Sequence, residues 1–262
     1  MKPDISVVIP SRLDSVEVEV PDALWLDRAI ASIRRQTIGP ETRIEIVVGL
    51  DFGVKPPPRE SVYFANAAQS EGRQASALNA AVAETHGEYL AFLEDDDRWQ
   101  PRFLEVAIKA IGECDFVSSN QLELPPGSVV GPINDFATPS GWFMRRSLWD
   151  EIGEMDTTYR YHLDNEWLGR LSEAGKRRVH LIESGVPEDP AALEKARPFL
   201  KSYLTARPGL NRLLRHDEAF PLVLRTANPL GGMSMIRLSS EARARSEAEQ
   251  EKLKAKYGRF PY

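Results

Sequence analysis

Four consecutive acidic residues, Glu94-Asp95-Asp96-Asp97, are the part of the sequence best suited to chemistry. They follow residues 89–93, an apolar run that predicts a buried strand. Neighbouring carboxylates repel one another unless a positive charge lies among them. A hard divalent cation binds carboxylate oxygens and commonly shares its remaining positions with substrate phosphates. The run therefore predicts either a divalent metal site or a solvated turn in which Asp97 caps the helix that begins near Pro101.

The acidic run follows one of several predicted strands whose ends should lie side by side. Short apolar runs predict strands at residues 5–9, 44–50, 62–65 and 89–93, with helices at 24–37 and 75–84 between them. This alternation indicates a mainly parallel sheet covered by helices, and such sheets bind ligands at the carboxyl ends of their strands. The polar groups that should meet at this edge are Pro10-Ser11-Arg12, Asp51 and the acidic run.

The second half of the chain has a less regular pattern. We expect helices at residues 104–111, 147–152, 165–174 and 191–206, strands at 115–118 and 178–182, and a loop or antiparallel edge at 122–134. Residues 240–256 predict a helix that is polar on every side, with Leu253 as its one large aliphatic residue. Because such a helix has no apolar face to bury, residues 240–262 are predicted to lie outside the core, as a mobile tail or an oligomerisation arm.

The composition excludes several classes of protein. The chain has 262 residues, 42% of them hydrophobic and 27% charged, as is usual for a globular protein. Its single cysteine, Cys114, excludes an internal disulfide and a cysteine-based zinc site. The net charge of −6 has the wrong sign for a protein that binds nucleic acid with its whole surface. Because we find no signal-peptide pattern and no apolar run of about 18 residues, we expect a cytoplasmic protein.

Several short motifs, taken in order, resemble those of the family 2 inverting glycosyltransferases with the GT-A fold. The similar segments are residues 6–12 (first strand), 26–37 (first helix), 45–48 (second strand), 72–79 and 87–99 (passage into the Asp-x-Asp motif), 141–153 (acceptor side) and 163–175 (catalytic-base helix). The resemblance covers about residues 5–182 and implies an α/β protein with a mainly parallel, Rossmann-like sheet. Residues 1–185 would form the nucleotide-sugar-binding and catalytic domain, and residues 186–262 a helical C-terminal extension for the acceptor or for oligomerisation.

The resemblance also implies a reaction. A sugar would pass from a nucleoside-diphosphate sugar, most commonly a UDP-sugar in this family, to an acceptor hydroxyl with inversion. Mg²⁺ or Mn²⁺ would stabilise the charge of the leaving diphosphate. The acceptor is left open among a glycan, a lipid-linked molecule and a small molecule, as are peripheral membrane association and a homodimer. Nucleic acid is not an expected partner.

The resemblance assigns donor-side roles residue by residue. The implied residues are Asp96 as the direct metal ligand, Glu94 and Asp95 on the ribose or on metal-bound water, and Pro10, Ser11 and Asp51 in the nucleotide site. Arg12 and Arg73 would contact the base or the phosphates, the alternative being that both are surface arginines. Asn79 would form a hydrogen bond near the diphosphate, or would only brace a strand–helix junction.

An inverting transfer also needs a base that takes the proton of the acceptor hydroxyl. The resemblance implies Asp164 as this base, with Glu166 as a second candidate, and on a helix only one of the two should point into the site. Asp164 could instead cap the helix that follows it. Gly141 and Trp142 lie in the acceptor-side segment, where Trp142 is either a platform for a sugar ring or a core residue.

The chain departs from the family pattern at several positions. Glu94 stands at the first position of the metal motif, Leu163 precedes Asp164 where a glutamate is usual, and the acid expected directly after the second strand is found only at Asp51. The segment that includes residues 16–20 is predicted to form a hairpin over the donor site. Two other functions stay open: a sugar nucleotidyltransferase, which would need a Gly-rich loop after the first strand, and a glycosyltransferase-like domain that only binds a partner.

Overall fold

The elements of the protein closely follow the predicted alternation of strands and helices. The computed structural model describes residues 3–17, 20–56, 58–70, 73–125, 128–229 and 231–258. The strands in these ranges are β1 Ile5–Ser11, β2 Ser15–Glu17, β3 Val20–Leu24, β4 Ile44–Leu50, β5 Tyr63–Asn66, β6 Tyr89–Phe92, β7 Arg98–Trp99, β8 Phe116–Ser119, β9 Gln121–Leu124, β10 Ile133–Asn134, β11 Phe143–Arg145, β12 Arg178–Ile182, β13 Asn211–Arg215 and β14 Val223–Thr226. The helices are α1 Trp25–Arg34, α2 Gln74–Ala83, α3 Phe103–Ala110, α4 Arg146–Ile152, α5 Leu163–Glu173, α6 Pro190–Ala196, α7 Pro198–Ala206, α8 Gly232–Leu238 and α9 Ser240–Tyr257, with a 3-10 turn at Pro139–Gly141.

The larger sheet is mainly parallel, as predicted. Its strand order is β13-β12-β8-β11-β6-β1-β4-β5. Only β11 is antiparallel to its neighbours, β6 and β8. From β1 the chain continues to β4 and β5 on one side and returns to β6 on the other, which makes the carboxyl end of β1 a topological switch point. Ligands of open α/β sheets bind at such a point.

Helices cover both faces of this sheet. Because side chains alternate along a strand, Val7 of β1 faces a core cluster with α1 and α3, whereas Val8 faces a second cluster with α2, α4 and α5. Helix α2 approaches β4 so closely that a Cβ atom on Gly49 would lie 1.9 Å from the carbonyl oxygen of Ala77. This contact requires glycine, and it fixes α2 over the carboxyl half of β4.

A smaller sheet joins the C-terminal part of the chain to the acidic run. Its order is β10-β9-β14-β7, and β7 begins at Arg98, directly after the four acids. Strand β14 pairs with β7 and β9, while β13 extends the larger sheet beside β12. The segment from residue 186 onward, predicted to be a helical extension, therefore contains strands as well as helices and contributes to both sheets.

The C-terminal helix α9 packs against the core, so the prediction that residues 240–262 lie outside it is wrong. Leu253 is completely buried among side chains of the cluster that includes α5. A Cβ atom on Gly169 of α5 would lie 2.4 Å from the ring of Tyr257, which shows how closely the two helices approach. The polar helix can pack because a carboxylate, Glu249, is buried together with the single leucine.

Two other predictions differ in detail from the structure. The helix expected at residues 191–206 is divided into α6 and α7, because Pro198 has no N–H with which to continue a helix. The hairpin expected after the first strand is present as the antiparallel pair β2 and β3, and its place over the donor site stays a prediction. Residues 18–19 of that hairpin and 259–262 of the tail lie outside the described residues. Within the described ranges, we find no helix that is both long and apolar enough to cross a membrane.

Candidate active site

The carboxyl ends of three neighbouring strands bring the predicted donor residues together. The hydroxyl of Ser11, the last residue of β1, donates to Oδ2 of Asp95 at 2.5 Å. Asp51 is the first residue after β4, and its N–H donates to the carbonyl oxygen of Ser11 at 3.2 Å. Pro10 lies past Val8, where the pairing of β1 with β6 ends. The expectation that these residues meet at one edge is confirmed. Because β4 extends to Leu50, Asp51 directly follows the strand, which is the position at which the family pattern expects an acid.

Three arginines surround Asp51. Burial raises the pKa of Asp51, while the positive charges of Arg12, Arg160 and Arg73 oppose this rise. Arg12 is also paired with Asp14, with 2.5 Å between Nη2 and Oδ2. The structure thus brings Arg12 and Arg73 together near Asp51 and adds Arg160, which no sequence motif indicated.

The side chains of Glu94 and Asp96 each accept a hydrogen bond from a side-chain amide of a distant segment. Nε2 of Gln74 donates to Oε1 of Glu94 at 2.6 Å. Nδ2 of Asn228 donates to Oδ2 of Asp96 at 2.9 Å. Because Gln74 begins α2 and Asn228 follows β14, the acids hold together parts of the chain that are far apart in sequence.

Asp97 has a structural role that the sequence did not predict. Its side chain is 1% exposed and accepts hydrogen bonds from the hydroxyl of Ser140 at 2.6 Å and from the N–H of Thr226 at 3.0 Å. The N-cap residue of α3 is Arg102, which has no capping hydrogen bond from a side chain. Asp97 therefore connects the acidic run to β14 and does not cap the next helix.

The acidic run is short of positive charge. Burial, followed by repulsion from neighbouring acids, raises the pKa of Asp95, Asp96 and Asp97 above the usual aspartate value. Burial lowers the pKa of Arg225, but the attraction of Asp97 and other acids outweighs it, and the net change is upward. One half-buried arginine does not neutralise four acids, so a divalent cation would stabilise their ionised forms.

The donor set fits a metal that is completed by its substrate. Among the described residues, no group of three or more carboxylate, imidazole or thiol side chains is arranged to hold an ion alone. Mg²⁺ is usually bound by one or two carboxylates together with substrate phosphates and water. Asp96 and its neighbours Glu94 and Asp95 are half-buried and fit that kind of site.

Asp164 lies in the first turn of α5, close to the acidic run. Its Oδ1 accepts the N–H of Asn165 at 2.8 Å. Burial, together with the negative charge of Glu94, raises the pKa of Asp164 to about 6, although the hydrogen bonds from Asn165 oppose the rise. The N-cap residue of α5 is His162, which has no capping side-chain bond. A half-buried carboxylate with this pKa is suited to accept a proton near neutral pH.

Glu166 faces away from Asp164, which corrects its placement as a second base. Its carboxylate is 1% exposed and accepts hydrogen bonds from Nε of Arg170 at 3.0–3.1 Å and from Nζ of Lys256 at 2.9 Å. The hydroxyl of Tyr257 donates to the same carboxylate at 3.1 Å. Glu166 thus joins α5 to α9, whereas Asp164 is the one of the two acids that lies near Glu94, and its role as the base stays a prediction.

Asn79 does not bond near the donor. Its Nδ2 donates to the carbonyl oxygen of Met155, and its Oδ1 accepts the N–H of the same residue, both at 2.9 Å. With both ends of the amide occupied, Asn79 braces α2 against the segment between α4 and α5. The bracing alternative holds, though at a different junction from the one expected.

The acceptor-side residues Gly141 and Trp142 are parts of the core. Trp142 is fully buried, with its ring centroid 5.1 Å from that of Trp167, and its indole N–H donates to the carbonyl oxygen of Ala137 at 2.9 Å. A ring enclosed in this way cannot stack on a sugar. A Cβ atom on Gly141 would lie 2.9 Å from the backbone nitrogen of Ser119, so this glycine allows close packing.

Sequence reasoning missed the residues that complete the site from a distance. Asn228 is 132 residues from Asp96, and Thr226 is 129 residues from Asp97. Neither belongs to a motif, and β14 is only four residues long. The one feature that could have drawn attention to them is the Asn-Pro turn signal at residues 228–229.

Comparisons with known proteins agree with this geometry. The sequence profile of glycosyl transferase family 2 matches residues 6–122. An uncharacterized glycosyltransferase, YwdF of Bacillus subtilis (strain 168), is 31% identical over 178 residues, which are 58% of this chain and 64% of that protein. The match thus spans less than two thirds of that relative's length.

Solved structures show the same fold at low identity. TarS of S. aureus, solved with UDP, aligns with a TM-score of 0.53 and 15% identity over 95% of this chain and 70% of its own. Its complex with UDP-GlcNAc gives 0.55 and 16% over 88% and 60%. Mannosyltransferase PcManGT of Pyrobaculum calidifontis, solved with GDP-Man and Mn²⁺, gives 0.50 and 14% over 79% and 64%. The profile match and the sequence relative show that the chain is similar to glycosyltransferase family 2 over part of its length, and the shared architecture shows that it has the GT-A fold.

Proposed function

We propose that the chain is a metal-dependent, inverting glycosyltransferase that moves a sugar from a nucleoside-diphosphate sugar to an acceptor hydroxyl. The observation that carries this proposal is the half-buried acidic run at the carboxyl edge of the sheet, with Asp164 close enough to Glu94 for its pKa to be raised. The similarity of residues 6–122 to glycosyl transferase family 2 favours glycosyl transfer over the synthesis of sugar nucleotides. The acceptor would be a glycan, a lipid-linked molecule or a small molecule.

The donor would bind between the acidic run and the arginines around Asp51. Asp96 would be the direct ligand of Mg²⁺ or Mn²⁺, with Glu94 and Asp95 beside it on the ribose or on metal-bound water. The metal, when bound, would neutralise the negative charge that grows on the leaving diphosphate. The carboxylate of Asp51 can accept an N–H of the base, and Arg12 and Arg73 can donate to base carbonyls or phosphates. UDP is the proposed nucleotide, and the UDP and GDP-Man complexes of the structural neighbours support this class of donor.

The acceptor side needs a base on the face of the sugar opposite the diphosphate. Asp164 takes the proton of the acceptor hydroxyl while the hydroxyl oxygen forms a bond with the anomeric carbon. The bond between this carbon and the diphosphate oxygen breaks, and its electron pair leaves with the nucleoside diphosphate. Attack opposite the leaving group inverts the anomeric configuration. A pKa of about 6 leaves Asp164 ionised at neutral pH, as this step requires.

Calorimetric titration of UDP and GDP, each with and without Mn²⁺ or Mg²⁺, tests the donor site. We expect binding that depends on the metal in the wild-type chain and falls below detection in Asp96→Asn, which keeps the size of the side chain but removes its charge. Asp150→Asn, at an exposed position on α4, is the matched control and should bind like wild type. Equal nucleotide affinity with and without metal, or an unchanged affinity in Asp96→Asn, would refute the metal assignment.

A further inference from the structure

A single carboxylate on α9 binds the backbone that leads into Asp164. Glu249 accepts the N–H of Arg160 at 2.8 Å on Oε1, and the N–H groups of Tyr161 and His162 at 2.8 and 3.1 Å on Oε2. Its side chain is 7% exposed, and Nε of Arg245, one helical turn earlier, donates to Oε1 at 3.2 Å. Three consecutive amides therefore converge on one buried, charged acceptor.

These three amides belong to a segment without regular structure of its own. Residues 153–162 connect α4 to α5 and form neither helix nor strand. The N-cap residue of α5, His162, makes no capping bond with its side chain, and its own N–H donates to Glu249. The imidazole Nε2 of His162 also lies 2.8 Å from the hydroxyl of Ser246 on α9. The entry to α5 is thus fixed by α9, and Asp164 follows His162 by only two residues.

The other end of α9 is anchored on the body of α5. Leu253 is fully buried, Lys256 is paired with Glu166, and the ring of Tyr257 lies directly over Gly169. Helix α9 therefore contacts α5 at two places: along the body of the helix and at the segment before its first turn. This arrangement sets both the axis of α5 and the point at which its first residues leave the preceding loop.

We propose that Glu249 is a positioning residue that acts through Asp164: by holding the amides of residues 160–162, it directs the Asp164 carboxylate toward the acidic run. This role rests on the proposed function, because it has meaning only if Asp164 is the base. Glu249 accepts one hydrogen bond from Arg245 of α9 and three from the N–H groups of residues 160–162, which lie two to four positions before Asp164. Loss of Glu249 should therefore impair proton removal at the acceptor more than binding of the donor.

Glu249→Gln is the discriminating substitution. Glutamine keeps the size of the side chain, but one of its two terminal atoms is an NH₂ group, which cannot accept the N–H groups that Glu249 binds. We expect the amides of residues 160–162 to exchange with deuterium at least tenfold faster by NMR, while those of residues 167–173 in α5 keep their protection. Glu247→Gln, on an exposed turn of the same helix, is the matched control and should leave both sets unchanged.

The kinetic readout separates positioning from stability. With UDP-GlcNAc and GDP-mannose as donor probes and release of nucleoside diphosphate as the assay, Glu249→Gln should lower kcat about 10- to 100-fold, because a displacement on the order of 1 Å can cost that much. The KM of the donor should change by a smaller factor than kcat because, of the segment that Glu249 holds, only Arg160 lies near the proposed donor site. Glu249→Asp, which keeps the charge, should restore part of kcat. The double variant Asp164→Asn/Glu249→Gln should be no slower than Asp164→Asn alone, since the two residues act as one unit.

The outcomes distinguish the positioning role of Glu249 from the assignment of Asp164 as the base. Unchanged amide exchange in Glu249→Gln, or a wild-type kcat while Asp164→Asn is inactive, would overturn the positioning role and leave the base in place. A fully active Asp164→Asn chain would overturn the base assignment, and with it any role of Glu249 that runs through Asp164. A wild-type chain that hydrolyses neither donor would overturn both.

Discussion

Replacing Asp164 by asparagine keeps the size of the side chain and the oxygen that accepts the N–H of Asn165, but it removes the group that would accept a proton. A helix cap would survive this change almost intact, because asparagine caps helices about as well as aspartate. A general base would not survive it. General-base catalysis typically contributes about 10²–10⁴-fold, so kcat should fall by that factor while the affinity for the donor stays the same.

The raised pKa of Asp164 adds a second, independent signature. With a pKa of about 6, the carboxylate is roughly nine-tenths ionised at pH 7 and roughly one-tenth ionised at pH 5. An ordinary aspartate, with a pKa of about 3.9, would be more than about nine-tenths ionised at both values. The kcat of the wild-type chain should therefore fall about tenfold between pH 7 and pH 5, with a midpoint near pH 6.

The assay is the release of nucleoside diphosphate between pH 5 and pH 8, at a Mn²⁺ concentration that saturates the donor site at every pH. The pH dependence of kcat should disappear in Asp164→Asn, because its remaining slow rate does not depend on the carboxylate. Glu166→Gln is the control for a neighbouring acid. It should lower stability, since Glu166 binds Arg170 and Lys256, and it should leave the midpoint near pH 6.

Three results would refute this reasoning. An Asp164→Asn chain whose kcat lies within threefold of wild type would show that no proton passes to this side chain. A wild-type profile that is flat between pH 5 and pH 7 would show that the base is a group with an ordinary pKa. A product that retains the donor's anomeric configuration by NMR would exclude the single-step mechanism altogether.

Further expectations concern the contacts that support the site. Leu253→Ala should lower the free energy of unfolding by about 2–5 kcal/mol, and Tm by roughly 4–20 °C in calorimetry, because it leaves a cavity between α9 and α5. Leu238→Ala, at a leucine that is 79% exposed, should cost less than about 0.5 kcal/mol, and equal effects of the two would show that α9 is not docked in solution. Asn79→Ala should cost about 1–3 kcal/mol in urea titration by leaving Met155 without its partners, while UDP affinity stays unchanged. A loss of UDP affinity in that variant would instead return Asn79 to the donor site.

The donor half of the site could be predicted because it depends on local pattern and on one topological rule. Apolar runs located β1, β4 and β6 to within two residues, and parallel strands place their carboxyl ends at one edge. Ser11, Asp51 and Asp95 could be grouped on that basis before any distance was known. The position of Asp164 relied on family resemblance, since a lone aspartate at a helix start has no pattern that separates a base from a cap.

The remaining contacts could not be predicted, because they depend on which surfaces meet. The sequence pattern predicted a helix at α9 but not its docking, because the helix packs through one leucine and several polar groups, including Glu249 and Tyr257. Trp142 was undecided because an aromatic residue in an irregular segment fits a core and a sugar platform equally well. Arg160 and Asn228 reach the site through tertiary contacts, and beyond the Asn-Pro turn signal at residues 228–229 their local sequence does not indicate them.

The hydrogen bond between Asp96 and Asn228 has a consequence for the synthesis of the protein. The two residues are 132 positions apart. At about 5–20 residues per second, a ribosome delivers the second roughly 7–26 s after the first. During this interval the nascent chain carries an uncompensated cluster of acids without the strand and amide that hold two of them in place. The arrangement of the acidic run is thus a late product of translation, completed only when the smaller sheet closes.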